Sequence, residues 1–516
     1  MIYQNPIISG FYPDPSICSA NGRFYLVTSS FQYFPGVPLF ESTDLVNWKQ
    51  IGHVLTRESQ VMLDRVRSSG GVFAPTIRYH DGRFYMITNN NSTNKNFYVY
   101  TDDIYGEWSE PIEIDMNGID PSLLFDEGHV YALTNGQDDD GNWGIVQCEI
   151  DIETGAKLGE TKCLWKGSGG RYIESPHMYR VGDYYYLMIA EGGTEYGHMV
   201  TYARSASPWG PFTDYAKNPV LTNRNKAPFL IQGIGHGDLI QNTDGHWYMV
   251  TLGFRQIGTW EPYHNLGREV YLTPVQFDPD GWFTCGDDGT TAPSYQIPGD
   301  FVQERKTEYT FRNTDWSIDW AYLRKYHPEN YLLSDKSALL RGTSITLEDV
   351  DSPTFLALRQ KEFCMEVSAK VILEEGRMTS GQEDGQSLLK TVPSAGLTVY
   401  MCEDEHYDVE LAMTPRGLAA ELRLCIGGIK HIHSMHLPKK EANEKGAVLS
   451  IRSDHEKYEF YVQFASEERP VFLGSGRTKY LSSEVSGGFT GVMVGMYAIG
   501  NCTAAFTDFS CSYNLD

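Results

Sequence analysis

Three acidic residues set in related phrases are the part of this chain best suited to chemistry. Asp14 lies in YPDPS, Asp120 in GIDPS and Glu174 in YIESP, and each stands eight residues before a Gly that opens an aromatic-rich stretch. Carboxyls gathered in one cleft cannot all ionise freely, so at least one must hold its proton unusually tightly. A protonated carboxyl beside an ionised one is the pair that glycosidic hydrolysis needs. The acid protonates the leaving oxygen, and the carboxylate attacks carbon or activates a water, according to their separation. Two other uses of the cluster stay open, cation binding and the capping of strand ends, because Asp before Pro alone marks only a turn.

What brings the acids together is a repeat. NGRFYLVTSS, DGRFYMITNN, EGHVYALTNG, VGDYYYLMIA and DGHWYMVTLG share one pattern, with their glycines (Gly22, Gly82, Gly128, Gly182, Gly245) 60, 46, 54 and 63 residues apart. Each X-Gly pair reads as a two-residue hairpin turn. Repeats of this length built from short strands are the signature of propeller blades, here five. Counting back eight residues from each Gly reaches Asp14, Ala74, Asp120, Glu174 and Gly237. The first strand of each blade lines the central channel, so these positions should form a ring. Acids stand on three blades, and small residues on the other two leave room for a ligand.

Composition narrows the partners. Lys and Arg total 42 against 67 acids, a formal charge of −25 over 516 residues. That field repels nucleic acid and anionic membranes, although it also serves plain solubility. Aromatics at 13% and 50 glycines fit a turn-rich, sheet-rich protein with sugar-binding surfaces, and a neutral small oligosaccharide is the expected partner. The nine cysteines are scattered without metal spacing, so neither a zinc site nor a disulfide framework is expected. The N-terminus lacks the pattern of a signal peptide, and no apolar run reaches the ~18 residues of a membrane span. A cytoplasmic location is expected.

The repeat ends near 308. GDDGTTAPSYQIPGD, residues 286–300, reads as a linker. Alternating strands then follow, from SPTFLALRQ to AAFTDFSCSY, and their period of two indicates a β-sandwich. The expected domains are therefore 1–308, a catalytic five-bladed β-propeller, and 309–516, a sandwich packed on it. Residues 374–387 read as an exposed polar loop.

The chain resembles the family 43 glycoside hydrolases, in the branch of two-domain β-xylosidases and α-L-arabinofuranosidases. The resemblance rests on NPIISGFYPDPSIC, SSFQYFPGVPLFESTDLVNW, GGVFAPTIRYHDGRFY, GIDPSLLF, YIESPHMY, IAEGGT, GHGDL and LGREVYLTPV, and reaches the second half through DSPTFLALRQ and AGLTVYMCEDEHYDVEL. The NDPNG and RDP signatures of the sucrose-acting families with the same propeller are absent. The resemblance implies an all-β protein, a five-bladed propeller followed by a concanavalin-like jelly roll. It implies inversion, with Asp14 as general base, Glu174 as general acid, and Asp120 orienting Glu174 and holding its pKa up. Arg268 of LGREVYL would contact sugar hydroxyls near the acids, the alternative being a surface salt bridge. The sandwich would close one side of the pocket, which favours removal of single terminal sugars.

Other residues carry alternatives. His236, one place before the ring position, is a ligand to an acid, ion or water, or else a satisfied core histidine. Phe31 is a wall for the sugar ring and Trp143 a platform for the next sugar, or both are ordinary core. Phe73 precedes APT where xylosidases of the resemblance often carry Trp, so xylose and arabinose both remain open. No redox cofactor is required; a structural Ca²⁺ or Na⁺ in the channel and a homo-oligomer are left open. The rival reading is a non-catalytic carbohydrate-binding propeller, and a weaker one is a protein-binding scaffold.

Overall fold

The structure, a computed structural model, describes residues 1–375, 391–436, 446–465 and 467–515. Five four-stranded antiparallel sheets succeed one another along the first part of the chain. Their innermost strands are Ser16–Ala20, Thr76–His80, Ser122–Asp126, Glu174–Val181 and Ile231–Gln241, in blades I to V. Each packs beside the next around an axis, and blade V returns to blade I.

The turn chemistry expected from sequence is met in blades I to III. Ala20 pairs with Arg23, His80 with Arg83 and Asp126 with His129, so each loop has two residues. Asn21-Gly22, Asp81-Gly82 and Glu127-Gly128 all have positive φ, the twist that suits neighbouring strands. In blade IV the turn is Gly182-Asp183, because Val181 pairs with Tyr184. Blade V uses a five-residue loop between Gln241 and Trp247.

The recurring phrase also has a mechanical reason. The hydroxyl two residues after the ring position fastens one blade to the next. Thr76 donates to the Pro121 carbonyl at 2.9 Å, Ser122 to the Pro176 carbonyl at 2.5 Å, and Ser16 Oγ accepts from Ile77 N at 3.1 Å. Ser16 also donates to Asp238 of blade V at 2.6 Å. A buried hydroxyl must find a partner, and here it finds one across a blade boundary.

Residues 286–300 are not a slack linker. Ser294–Gln296 pairs with Ile2–Gln4, and Asn223 binds both the carbonyl and the amide of Thr291. Alongside, Asn5 bonds both backbone groups of Leu272, so the first residues clasp blade V and close the ring.

The second half is a sandwich of an eight-stranded and a six-stranded antiparallel sheet. Period-two strands such as Cys364–Glu375 alternate buried and open residues, as one face of a sheet against another requires. Glu374 and Glu375 end that strand, and the remainder of the stretch read as a polar loop, 376–387, lies outside the described residues. The sandwich is locked to the propeller by Tyr322–Leu323, which pairs with Tyr33–Phe34. Arg255 completes the lock, paired with Glu269 of its own blade and Glu362 of the sandwich. Arg324, 1% exposed, adds bonds to the carbonyls of Val66 and Asp351.

Gly118, two residues before Asp120, has φ +106°, and a Cβ there would lie 1.5 Å from the Asn135 carbonyl oxygen. Gly118→Ala should therefore cost about 3 kcal/mol or more of stability. A urea midpoint equal to that of the parent would contradict this close approach.

Candidate active site

The ring position becomes a real cluster. Asp14, Asp120 and Glu174 line one pocket at the end of the channel, together with Ala74, Phe31, Phe73, His236 and Arg268. Asp14 and Asp120 sit just before their innermost strands at φ 56° and 53°, a left-handed conformation that Asp tolerates better than most residues. In blade IV the left-handed residue is instead Ser175, φ 54°, and a register shift follows Glu174. Blade V carries register shifts on both sides of Gly235, with His236 at φ 50°. Bulges of this kind re-aim side chains, and here they turn Glu174 and His236 towards the axis.

Each acid has a different environment. Asp14 accepts from Arg268 Nη1 at 2.9 Å and from Ser29 Oγ at 2.5 Å, with His236 Nδ1 at 3.6 Å. Burial pushes its pKa up, but Arg268, His236 and Ser29 together outweigh burial and hold the carboxyl below its usual range. Glu174 has no such guanidinium in contact. Burial first, and then the charge of Asp14, push it up to about 7, with Arg268 opposing. Asp120 is also pushed well above the carboxylate range, by burial and by the charges of Glu174 and Asp14. Asp120 and Glu174 therefore titrate as a unit that keeps a proton while Asp14 stays ionised.

Two residues that sequence reasoning missed tie this arrangement together. Ser175 Oγ lies 2.8 Å from Asp120 Oδ2 and 2.7 Å from His236 Nδ1. His236 is kept neutral, mainly by burial. The contacts are satisfied when His236 Nδ1–H donates to Ser175 and Ser175 donates to Asp120. His198, whose Nδ1 lies 3.1 Å from the Gly233 carbonyl oxygen, is held neutral by burial at a pKa of about 3 and lines the pocket.

The third missed residue comes from the sandwich. Phe489 stacks on Phe31 at 5.9 Å and meets Phe73 at 6.0 Å, while Phe31 and Phe73 lie 5.4 Å apart. Its amide donates to Ser69 and its carbonyl accepts from Arg268 Nη2 at 3.2 Å. Arg268 also donates to Thr194 at 2.8 Å, and its Nε has no partner among the described residues. Trp143 is placed apart. It is 58% exposed at the start of a strand of blade III and is not among the pocket-lining residues. Beneath the acids the channel is filled by Arg78, which pairs with Asp238 at 2.9 Å and reaches His177 at 2.8 Å.

Residues 3–283 match the family described as glycosyl hydrolases family 43, and residues 308–512 match the beta xylosidase C-terminal concanavalin A-like domain. The chain belongs to glycosyl hydrolases family 43. It is 38% identical over 511 residues to the non-reducing end alpha-L-arabinofuranosidase of Bacteroides ovatus, covering 97% of this chain and 92% of the relative. The xylosidase/arabinosidase of Butyrivibrio fibrisolvens is 32% identical, over 100% of this chain and 98% of its own length. The crystal structure of xylan beta-1,4-xylosidase from Bacillus halodurans superposes with a TM-score of 0.88, at 30% identity, covering 99% of this chain and 100% of that one. The fold of this family 43 enzyme, a propeller with a concanavalin-like sandwich, is therefore a shared one, and the chain is a glycoside hydrolase.

For this family 43 enzyme the two opposed shifts predict a bell-shaped pH profile. Activity that needs Glu174 protonated falls as pH rises through about 7, and activity that needs Asp14 ionised survives until pH drops below the usual carboxylate range. In Glu174→Gln, kcat/KM on an activated aryl glycoside should lose the alkaline limb. Retention of that limb would assign it to another group.

Proposed function

We propose that the enzyme removes single terminal β-D-xylose or α-L-arabinofuranose residues from short oligosaccharides, with inversion at the anomeric carbon. The observation that carries the proposal is the split ionisation within one pocket: Asp14 is held ionised by Arg268 while Glu174 is pushed up to about 7. In this reading Asp14 takes the proton of an incoming water as it attacks the anomeric carbon. Glu174 gives its proton to the departing glycosidic oxygen. Asp120, whose protonation is tied to that of Glu174 by their mutual repulsion, shares the proton with the acid. Arg268, with an unpaired Nε, and the neutral His236 and His198 offer hydrogen bonds to sugar hydroxyls, while Phe31, Phe73 and Phe489 form an apolar wall against one ring face. Trp143 is reserved for a longer substrate beyond the pocket.

The sugar assignment draws on relatives of both names. Residues 1–308 act as the catalytic unit and 309–516 as the unit that closes it, a division supported by the position of Phe489. A wall contributed by a second domain leaves little space beyond one sugar, which favours chain ends. Nine cysteines, six of them buried, suit a reducing compartment such as the cytoplasm.

The deciding experiment compares kcat/KM on aryl β-D-xylopyranoside and aryl α-L-arabinofuranoside, with Asp14→Asn as blank. Asp14→Asn should lose at least about 10³-fold with the fold retained. Glu174→Gln should suffer more on substrates with poor leaving groups than on activated ones, and equal losses would remove its acid role. Proton NMR of the first product should show the anomer opposite to that of the substrate. Silence on both pentosides would remove xylose and arabinose as the sugars this hydrolase releases. Separately, Phe73→Trp should change the xyloside-to-arabinoside ratio, and an unchanged ratio would show that this wall does not select the sugar.

A further inference from the structure

Away from the pocket, one buried imidazole is only half used. His406 stands directly opposite Cys425 in the antiparallel pair Glu405–Thr414 and Gly417–Ile426 of the six-stranded sheet. Directly opposed residues project from the same face. Both are 1% exposed. The Nδ1 of His406 lies 3.0 and 2.9 Å from the two oxygens of Asp408, so this nitrogen carries a proton and gives it to the carboxylate. Its other nitrogen, Nε2, is buried and finds no oxygen or nitrogen partner among the described residues, with the thiol of Cys425 as the polar side chain beside it. A buried polar atom left unpaired costs about 1–3 kcal/mol, so a folded protein that keeps one invites the question of what it meets.

What lies nearby is a set of ligands. A ring nitrogen of His406, Cys425 Sγ and a carboxylate oxygen of Glu348 all lie within 4.8 Å of one another, and among the described residues this is the one such group. With Nδ1 engaged by Asp408, Nε2 is the nitrogen available to ligate. A carboxylate behind a ligating histidine fixes its tautomer and orientation. The donor set of one thiolate, one imidazole and one carboxylate suits a borderline divalent ion, and a tetrahedral ion would draw the donors to roughly 3.5 Å apart.

We propose that His406, Cys425 and Glu348 form a binding site for a divalent transition-metal ion, Zn²⁺ in the first place, with Asp408 orienting the imidazole. Charge supports it. The Cys425 thiolate with Glu348, Asp408 and Glu410 supplies four negative charges, and Arg423, Lys430 and a divalent ion supply four positive ones. Binding releases protons from the ligands that must give them up. Glu348 is half-buried and reaches Arg423 at 3.8 Å and Lys430, which gives the ion a way in. The neighbouring Leu347 packs in the same apolar cluster as Phe31, with Phe73 against it. An ion held by Glu348 therefore pins the loop behind the aromatic wall of the sugar pocket.

The test uses the full chain, treated with a chelator and then freed of it. Zn²⁺ alone, titrated by calorimetry, should bind at about one equivalent, and Co²⁺ should produce a thiolate-to-metal charge-transfer band. Cys425→Ser should abolish the band, and Asp408→Asn should weaken Zn²⁺ binding about 10–100-fold. Glu348→Gln, at a half-buried loop position, serves if the core variants do not fold, and should weaken binding at least about tenfold. Circular dichroism and glycosidase activity report that each variant is folded. Absence of stoichiometric binding, or a band that persists in Cys425→Ser, overturns the site.

Discussion

The ionisation of the pocket depends on a single ion pair. Arg268 holds Asp14 ionised in a place where burial alone would protonate it, and the charge so preserved is part of what keeps Glu174 and Asp120 protonated. The same guanidinium reaches Thr194 in blade IV and the Phe489 carbonyl in the sandwich. One side chain therefore sets the ionisation of the pocket and gathers three parts of the chain around it. Three carboxyls in equal surroundings would titrate alike; Arg268 makes them unequal.

The scaffold exists to hold that asymmetry. Five blades bring positions separated by up to hundreds of residues to a common height, and the hydroxyls of Ser16, Thr76 and Ser122 fasten neighbouring blades just below it. Asp238, Arg78 and His177 fill the next layer down. The acids sit on strand entrances held from beneath by a bonded ring, which limits how far they can relax from one another.

The blades and the three acids were legible because both follow a short local pattern: an X-Gly turn, an aromatic strand, and a fixed count back to the channel. Phe31, Phe73, Arg268 and His236 were legible from motif and register, and the structure gathers them in the pocket. Trp143 was read for its loop, and its distance from the pocket lining depended on how far out in blade III that loop projects. Phe489 carried no signal, because its partners Phe31 and Phe73 lie more than 400 residues away and in another domain. Ser175 and His198 were hidden for a different reason. Their orientation follows from left-handed backbone and register shifts that no period in the sequence records. The strand Ile429–His436 escaped notice since an exposed sheet edge needs no alternation.

The layer of Asp238, Arg78 and His177 has one more consequence. A ring of five blades would naturally leave a hole through its middle, and this layer stoppers it, so the pocket is a cup with a single mouth. Whatever enters must leave by the same route. A product at the bottom of the cup blocks the next substrate for as long as it stays. A product held in the cup should therefore compete with substrate.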